Sequence, residues 1–412
     1  MSIETENIIL RKPGAIKNDT LVKRYKLGEL ADVVRGSSPR PQGDPRYYGG
    51  SVPRLMVADL TRDGMYVTPQ IDFLTEEGAE LSRPMKKDDV VIAVSGNPGL
   101  PSILKSDACI HDGFVGLRNL NSIKILNEYL YYFLLFNKLE TKSKAVGAIF
   151  KNLTTDQIKK IDIPLPDLKT QKKITQVLEQ ADKARQQRKA ANALTDQFLQ
   201  SSFLSLFGDP VKNEKGWEMK KIGEFTLKIL SGKSVQSESR LKEEDEYGVL
   251  KVSAVTYGIF KPEEHKAIIN GFKPDVSITP KKGDILFSRA NTKELVAATC
   301  IVDKDYPDLF LPDKLWKVNI DRAIVNEWFF KYVLSQQSYR NKLSEKSTGT
   351  SGSMFNISKE KLIDFNFLVP PLSLQQQFAG IVAQAEQLRQ KQRESELELE
   401  TLFQSLLQKY FG

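Results

Sequence analysis

The run Ser231-Gly232-Lys233-Ser234 ends as a GxxxxGK[ST] loop ends, and a complete loop of that kind cradles nucleotide phosphates on its backbone amides. Leu227 stands where its first glycine must be, so the motif argues against ATP binding. Asn97-Pro98-Gly99-Leu100 lacks the aromatic residue that an NPPY-type adenine methyltransferase motif needs, and no methyl-donor site is visible. His111 beside Asp112 could orient a general base, but no serine or cysteine stands at a spacing that would make it one. Asp308, Asp313 and Lys314 can be forced into a nuclease-like pattern, although two acids and a lysine in a charged chain ordinarily face solvent. The chain has 2 cysteines, Cys109 and Cys300, and 2 histidines, His111 and His265. They form neither CxxC nor HExxH, so zinc and other metal chemistry drop away. What remains is a chain without catalysis of its own.

The elements that would carry a binding function follow from length and charge. At 412 residues the chain is too long for one ordinary core, and 40% apolar with 27% charged residues describes a folded protein. The surplus of 60 bases over 52 acids, +8 in all, permits an anionic partner without demanding one. Its longest apolar and aromatic run, Tyr129 to Phe136, falls far short of the ~20 residues of a membrane helix. The acidic start MSIETENIIL has no basic secretory lead, and the expected location is the cytoplasm.

The chain is written twice. KLGEL from Lys26 returns as KIGEF from Lys221, and KKDDVVIA from Lys86 returns as KKGDILFS from Lys281, both at an offset of 195. NEYLYYFLL from Asn127 returns as NEWFFKYVL from Asn326 at 199, and NLTTDQIKKIDIPLPDLKTQKKI from Asn152 as NISKEKLIDFNFLVPPLSLQQQF from Asn356 at 204. Both copies finish in Phe-Gly, at Phe207-Gly208 and Phe411-Gly412.

In each copy a variable first part alternates short β-rich runs with turn residues and one short helix, which predicts a mixed α+β globule. A more uniform tail follows. It predicts a short helix capped by Thr154 or Ser358, an extended stretch holding Pro164 and Pro166 or Pro370 and Pro371, and a long helix. From Gln171 to Phe207 and from Gln375 to Phe411 there is no Gly except Gly380 and no Pro; at ~1.5 Å per residue each helix would run on the order of 55 Å. Three- and four-residue steps select Ile174, Val177, Ala181 and Phe198 on the first helix as packing residues. On the second they select Phe378, Ile381, Ala385, Leu388, Leu399 and Leu402. A pseudo-twofold relation would make the helices antiparallel and bring Lys183 and Arg185 near Glu398 and Glu400.

Two variable segments, each followed by a near-duplicate helical segment introduced by IDIPLPDLKTQKKI (Ile161 to Ile174) or FNFLVPPLSLQQQF (Phe365 to Phe378), resemble the DNA specificity (S) subunit of Type I restriction-modification enzymes. The likeness extends over Tyr25 to Gly412 and includes Val34-Arg35-Gly36-Ser37-Ser38-Pro39 and its counterpart Leu230-Ser231-Gly232-Lys233-Ser234. The second copy lacks the proline after its loop, and Thr170 and Leu374 stand where the family usually has an acid.

The resemblance implies an α+β chain of two tandem target recognition domains separated by an antiparallel pair of long coiled-coil helices. The expected segments are an arm at 1–24, a first recognition domain at 25–150, a spacer region at 151–212, a second recognition domain at 213–354 and a second spacer region at 355–412. It implies a non-catalytic reader of a bipartite, asymmetric site on double-stranded DNA. The implied partners are two adenine-N6 methyltransferase subunits and the restriction subunits, a motor-nuclease, with no membrane. This chain would hold no cofactor; S-adenosylmethionine, ATP and Mg would belong to the partners. The competing reading is a structural coiled-coil scaffold bearing duplicated protein-binding globules.

Base reading needs donors and acceptors on projecting loops, and phosphate contact needs Lys or Arg beside small residues. The candidates in the first copy are Ser37, Arg40, Arg46, Arg54, Arg62, Ser95 and Asn97. In the second they are Lys233, Ser234, Lys251, Arg289, Asn291 and Lys293, with Lys346 and Thr348 on a later loop.

Overall fold

Each long helix has a run of good helix formers behind a short strand and a proline-bearing stretch, and such a run propagates once a first turn is nucleated. The computed structural model describes residues 22–143, 154–269, 275–347 and 355–412. Its chain divides into two compact units, one holding the described residues up to Arg188 together with Ser395–Gly412, the other Lys189–Glu394.

In the first unit the strands are β1 (Lys23–Lys26), β2 (Asp32–Arg35), β3 (Tyr48–Leu55), β4 (Tyr66–Val67), β5 (Asp72–Leu74), β6 (Arg83–Met85), β7 (Val90–Ala93), β8 (Pro101–Leu104), β9 (Ala108–Ile110), β10 (Phe114–Arg118) and β11 (Asp162–Leu165). The helices are α1 (Val57–Asp63), α2 (Glu76–Glu80), α3 (Asn127–Ser143), α4 (Thr155–Lys159) and the start of α5 (Leu168–Phe207). A five-stranded sheet runs β2-β10-β7-β8-β4, a four-stranded one β5-β3-β9-β6, and β1 pairs β11.

In the second unit the strands are β12 (Met219–Lys221), β13 (Thr226–Ser231), β14 (Ser237–Glu238), β15 (Gly248–Leu250), β16 (His265–Ile268), β17 (Ile285–Ser288), β18 (Ala290–Asn291), β19 (Thr299–Ile301), β20 (Leu309–Phe310), β21 (Leu315–Ile320), β22 (Phe355–Asn356) and β23 (Asn366–Leu368). The helices are α6 (Ile222–Phe225), α7 (Glu327–Ser335), α8 (Gln337–Glu345), α9 (Lys359–Ile363) and α10 (Leu372–Phe411). The sheet of order β13-β21-β17-β19 repeats the five-stranded sheet with one strand fewer, a second four-stranded sheet runs β14-β16-β15-β20, and β12 pairs β23 as β1 pairs β11. Among the described residues no helix is long and apolar enough to cross a membrane.

The tail of each copy is built alike. Thr154 caps α4 by accepting from the Gln157 amide, and Ser358 caps α9 by accepting from Lys361. Gln171 and Gln375 follow at the start of the long helices, both fully buried. Gln171 accepts from the Leu126 amide at 3.0 Å and donates to the Lys124 and Pro166 carbonyls. Gln375 accepts from Asn326 at 2.8 Å and donates to Ile324 and Pro370. One amide side chain thus satisfies three backbone groups where strand, globule and long helix meet, groups whose burial without partners would be costly.

The division between units falls inside both long helices because each globule packs on its own stretch of them. In the first unit Ile174, Leu178, Ala181, Phe403 and Leu407 join the core of Tyr129, Tyr132, Val90 and Leu117. In the second, Leu199, Phe203, Phe207, Phe378, Val382 and Ala385 join Phe329, Phe330 and Phe367. The helices are antiparallel there: Thr195 meets Gln392, while Phe203, further along α5, meets Phe378, earlier on α10.

This packing corrects the expected register. Ile174, Ala181, Phe378 and Ala385 point inward, but Val177, Phe198, Leu388 and Leu402 are exposed, and Ile381 and Leu399 are only half-buried. Their neighbours Leu178, Leu199, Val382 and Phe403 take the core positions. Wherever two apolar residues are adjacent, strict three-four alternation has no way to choose between them. The stripe ends in plain four-residue steps, Thr195-Leu199-Phe203-Phe207 and, after the half-buried Leu399, Phe403-Leu407, as on a helix facing a globule.

Charge pairing repeats too. Arg185 bonds Asp182 at 2.8 Å and Glu400 at 2.7 Å, and lies over the Phe403 ring. Its counterpart Arg389 bonds Glu386 and Asp196. Lys183 and Glu398, expected to join the first pair, are both exposed.

Candidate nucleic-acid interface

β2 ends at Arg35, and Gly36 turns the chain away from the sheet beside the β9–β10 connection. The Gly36 amide donates to the Phe114 carbonyl at 3.0 Å and the Ser37 amide to Ile110 at 3.1 Å. A Cβ at Gly36 would lie 1.9 Å from the His111 carbonyl oxygen, so only glycine permits this approach. The loop is then fastened by side chains: Ser38 Oγ donates to Asp112 Oδ1 at 2.6 Å, and Arg40, exposed, stands 3.7 Å from the same carboxylate. The Ser38 hydroxyl holds the Asp112 carboxyl below the usual range.

The second unit repeats this fastening on a different sequence. The Gly232 amide donates to Leu315 at 3.4 Å and Lys233 to Leu311 at 3.1 Å; a Cβ at Gly232 would lie 2.0 Å from the Leu311 carbonyl oxygen. Ser234 Oγ donates to Asp313 Oδ1 at 3.3 Å, and Arg289 Nε donates to the Asp313 backbone carbonyl at 2.9 Å. Lys233 and Ser234 are exposed.

The other candidates separate. Ser37 is tied to its neighbours, donating to Leu81 and accepting from Ser82 through its carbonyl. Arg54 is 6% exposed: it bonds Asp72 at 2.5 Å and Ser38 at 3.2 Å beneath the loop, and lies over Tyr48, so it supports the loop and is withdrawn from the surface. Arg46 forks onto Asp44, which that bond holds below its usual range, and leaves the guanidinium exposed over Tyr47. Arg62 is shared among Asp63, Asp59 and the Thr68 carbonyl, which leaves little of its fork for an outside acceptor. Ser95 is exposed, whereas Asn97 accepts from the buried Lys138 at 2.7 Å and lines a shallow groove with Val57 and Arg62.

In the second unit Lys251 pairs with Glu264 at 3.5 Å, and Asn291 contacts Thr256 from the β18–β22 pair. Lys293 is exposed on the following turn. Lys346 lies over Phe365 in a cavity with Tyr339 and Met219, outside the Ser-Gly fastening. Thr348 falls outside the described residues.

Reading the sequence alone missed the two acids. Asp313 reads as a solvated charge and Asp112 only as a neighbour of His111, because each gains meaning from a loop about 75 residues earlier in the chain, Ser38 and Ser234. His111 Nδ1 stands 3.8 Å from the Asp112 carboxylate, an ion pair only when the imidazole is protonated. Burial, then Arg54, pushes its imidazole below the usual range, and Nδ1 accepts from the Gly113 amide.

The family model for the Type I restriction modification DNA specificity domain matches twice, at residues 21–194 and 214–399. The MjaIX specificity subunit of Methanocaldococcus jannaschii is 26% identical over 266 residues, a match covering 60% of this chain and 60% of that one. The chain therefore spans less than two thirds of that relative's length. The EcoKI specificity subunit of Escherichia coli K12 is 24% identical, with 87% of this chain and 80% of that one covered. The crystal structure of a Type I restriction-modification S subunit from M. genitalium shares the fold, with a TM-score of 0.55 at 14% identity over 96% of this chain and 98% of that one. Carrying two copies of that domain on a duplicated scaffold, the chain belongs to the Type I restriction-modification DNA specificity family.

Proposed function

We propose that the chain is the DNA-recognition subunit of a Type I restriction-modification complex, reading a bipartite, asymmetric site and directing methyltransferase and restriction subunits to it. The observation that carries this reading is the family's domain occurring twice, each copy with its own glycine-serine loop fastened beside exposed basic residues. Two readers with different loops on a repeated scaffold suit two different half-sites. Arg40 and Lys233 are exposed beside backbone that can approach a phosphate, and Arg289 borders the second loop.

Phe198 and Leu402 stand at equivalent positions of the repeat and are both exposed, so each unit offers an apolar side chain that a partner could cover. A patch that occurs twice fits two copies of one partner, the methyltransferase subunits. S-adenosylmethionine, ATP and Mg then act in the partner subunits, and this chain supplies address without chemistry.

The test combines the chain with an adenine methyltransferase partner. Sequence-specific methylation by the pair and none by either alone is expected; methylation by this chain alone contradicts the reading. Arg40→Ala and Arg289→Ala should each weaken specific binding by the complex, by about 1 kcal/mol for a lost phosphate contact. Unaltered affinity for both at moderate salt would take these loops out of the footprint.

A further inference from the structure

The two glycine-serine loops differ in sequence, Gly36-Ser37-Ser38-Pro39-Arg40 against Gly232-Lys233-Ser234-Val235-Gln236, yet they are held by the same four devices. In each, the glycine amide donates to the first residue of the strand beyond the turn, Phe114 or Leu315. The next amide donates to the residue that precedes the turn, Ile110 or Leu311. The glycine packs on a carbonyl too closely for any other residue, and a serine hydroxyl closes the loop on the turn's aspartate. Loops that diverge while their fastening is retained are what a reader needs: the content changes and the presentation does not.

A carboxylate beside a surface meant for DNA repels phosphate, so its presence in both copies, exposed at Asp112 and half-buried at Asp313, calls for a role that offsets the repulsion. We propose that Asp112 and Asp313 are the positioning residues of the two readers, each carboxylate fixing its own glycine-serine loop and thereby setting sequence discrimination at its own half-site alone. The proposal rests on the DNA-recognition reading. The two differ in a further respect. The Asp112 carboxylate also holds Arg40 at 3.7 Å, while Arg289 takes the Asp313 backbone carbonyl and leaves that carboxylate to the serine. Asp112 therefore competes with phosphate for Arg40, and restrains attraction that carries no sequence information.

The experiment uses the full chain with its methyltransferase partner. The site is first identified from the adenines that the wild-type complex methylates, and binding is then measured on that duplex and on single-base variants in each half. Asp112→Asn is expected to reduce discrimination roughly tenfold in one half only, with affinity for unrelated duplex unchanged or raised. Asp313→Asn should reduce discrimination in the other half only. Ser38→Ala, which removes the bond and keeps the charge, should match Asp112→Asn in half-site and direction without raising affinity for unrelated DNA. Full discrimination retained in both aspartate variants overturns the proposal, as does an equal loss in both halves, the mark of general unfolding. If Asp112→Asn fails to fold, Ser38→Ala decides through the same readout. A wild-type complex that discriminates among no duplexes overturns the DNA-recognition reading itself, a result distinct from either.

Discussion

Lys331 is buried on α7 with its ammonium 4.2 Å from the Tyr332 ring centre, facing Arg389, Glu386, Cys300 and Asp196. Burial first, and Arg389 next, pushes it down to about 8. An unfolded lysine keeps its proton to about pH 10.4. Between these values the unfolded chain therefore binds a proton that the folded one does not, and this group's contribution to stability rises with pH. Lys331→Met removes that dependence. The variant should be more stable than the parent at pH 7, by on the order of 3 kcal/mol, and lose most of this advantage by pH 10. Urea unfolding at the two pH values checks it; an advantage independent of pH contradicts it. Arg54 makes the opposite case, a buried cation with a partner. Arg54→Ala leaves Asp72 unpaired, and thermal unfolding should show a loss of about 3 kcal/mol in the first unit. No sequence reading could separate Arg54 from Arg40. Both are arginines near a glycine-rich loop, and only the paired strand β3 takes one of them inside.

At the scale of elements, the long helices were legible in extent and illegible in rotation. Runs of helix formers, broken only at Gly380, between a proline-bearing stretch and a Phe-Gly end defined both, and the observed spans, Leu168–Phe207 and Leu372–Phe411, begin three residues before the expected glutamines. Rotation was decided by volume and by what lies opposite. Leu178 faces a globular core with Tyr132, so the stripe moves from Val177 to its neighbour; the same holds for Val382 over Ile381 and Phe403 over Leu402. At Leu388 the adjacent Arg389 lies against the globule instead, its fork held by two acids. Leu388→Lys should consequently leave thermal stability within about 0.5 kcal/mol of the parent, whereas Val382→Lys should cost several kcal/mol by burying an unpaired charge. Equal effects would return the helix to the register first expected. The glutamines at 171 and 375 were visible as a repeat, but their role was not, because two of each one's three backbone partners lie more than 40 residues earlier in the chain.

For the whole molecule, duplication is the property from which the rest follows. Repeated segments, the order of variable and uniform parts, and the family were all readable before any coordinate, since identity at a fixed offset does not depend on tertiary detail. The interface was readable only in part. Its candidate loops stand out by glycine, serine and arginine, while the aspartates that fasten them do not, Asp313 reading as solvated charge and Asp112 as a neighbour of His111, because their partners are distant in sequence. The central claim is that this one chain carries two independent readers of different sequence. It is tested most directly by reconstituting the chain with an adenine methyltransferase partner and mapping the modified adenines across a genome-scale DNA substrate. The account predicts a single asymmetric motif of two specified blocks separated by a fixed number of unspecified base pairs. Methylation confined to one continuous block, or scattered without sequence preference, would contradict it.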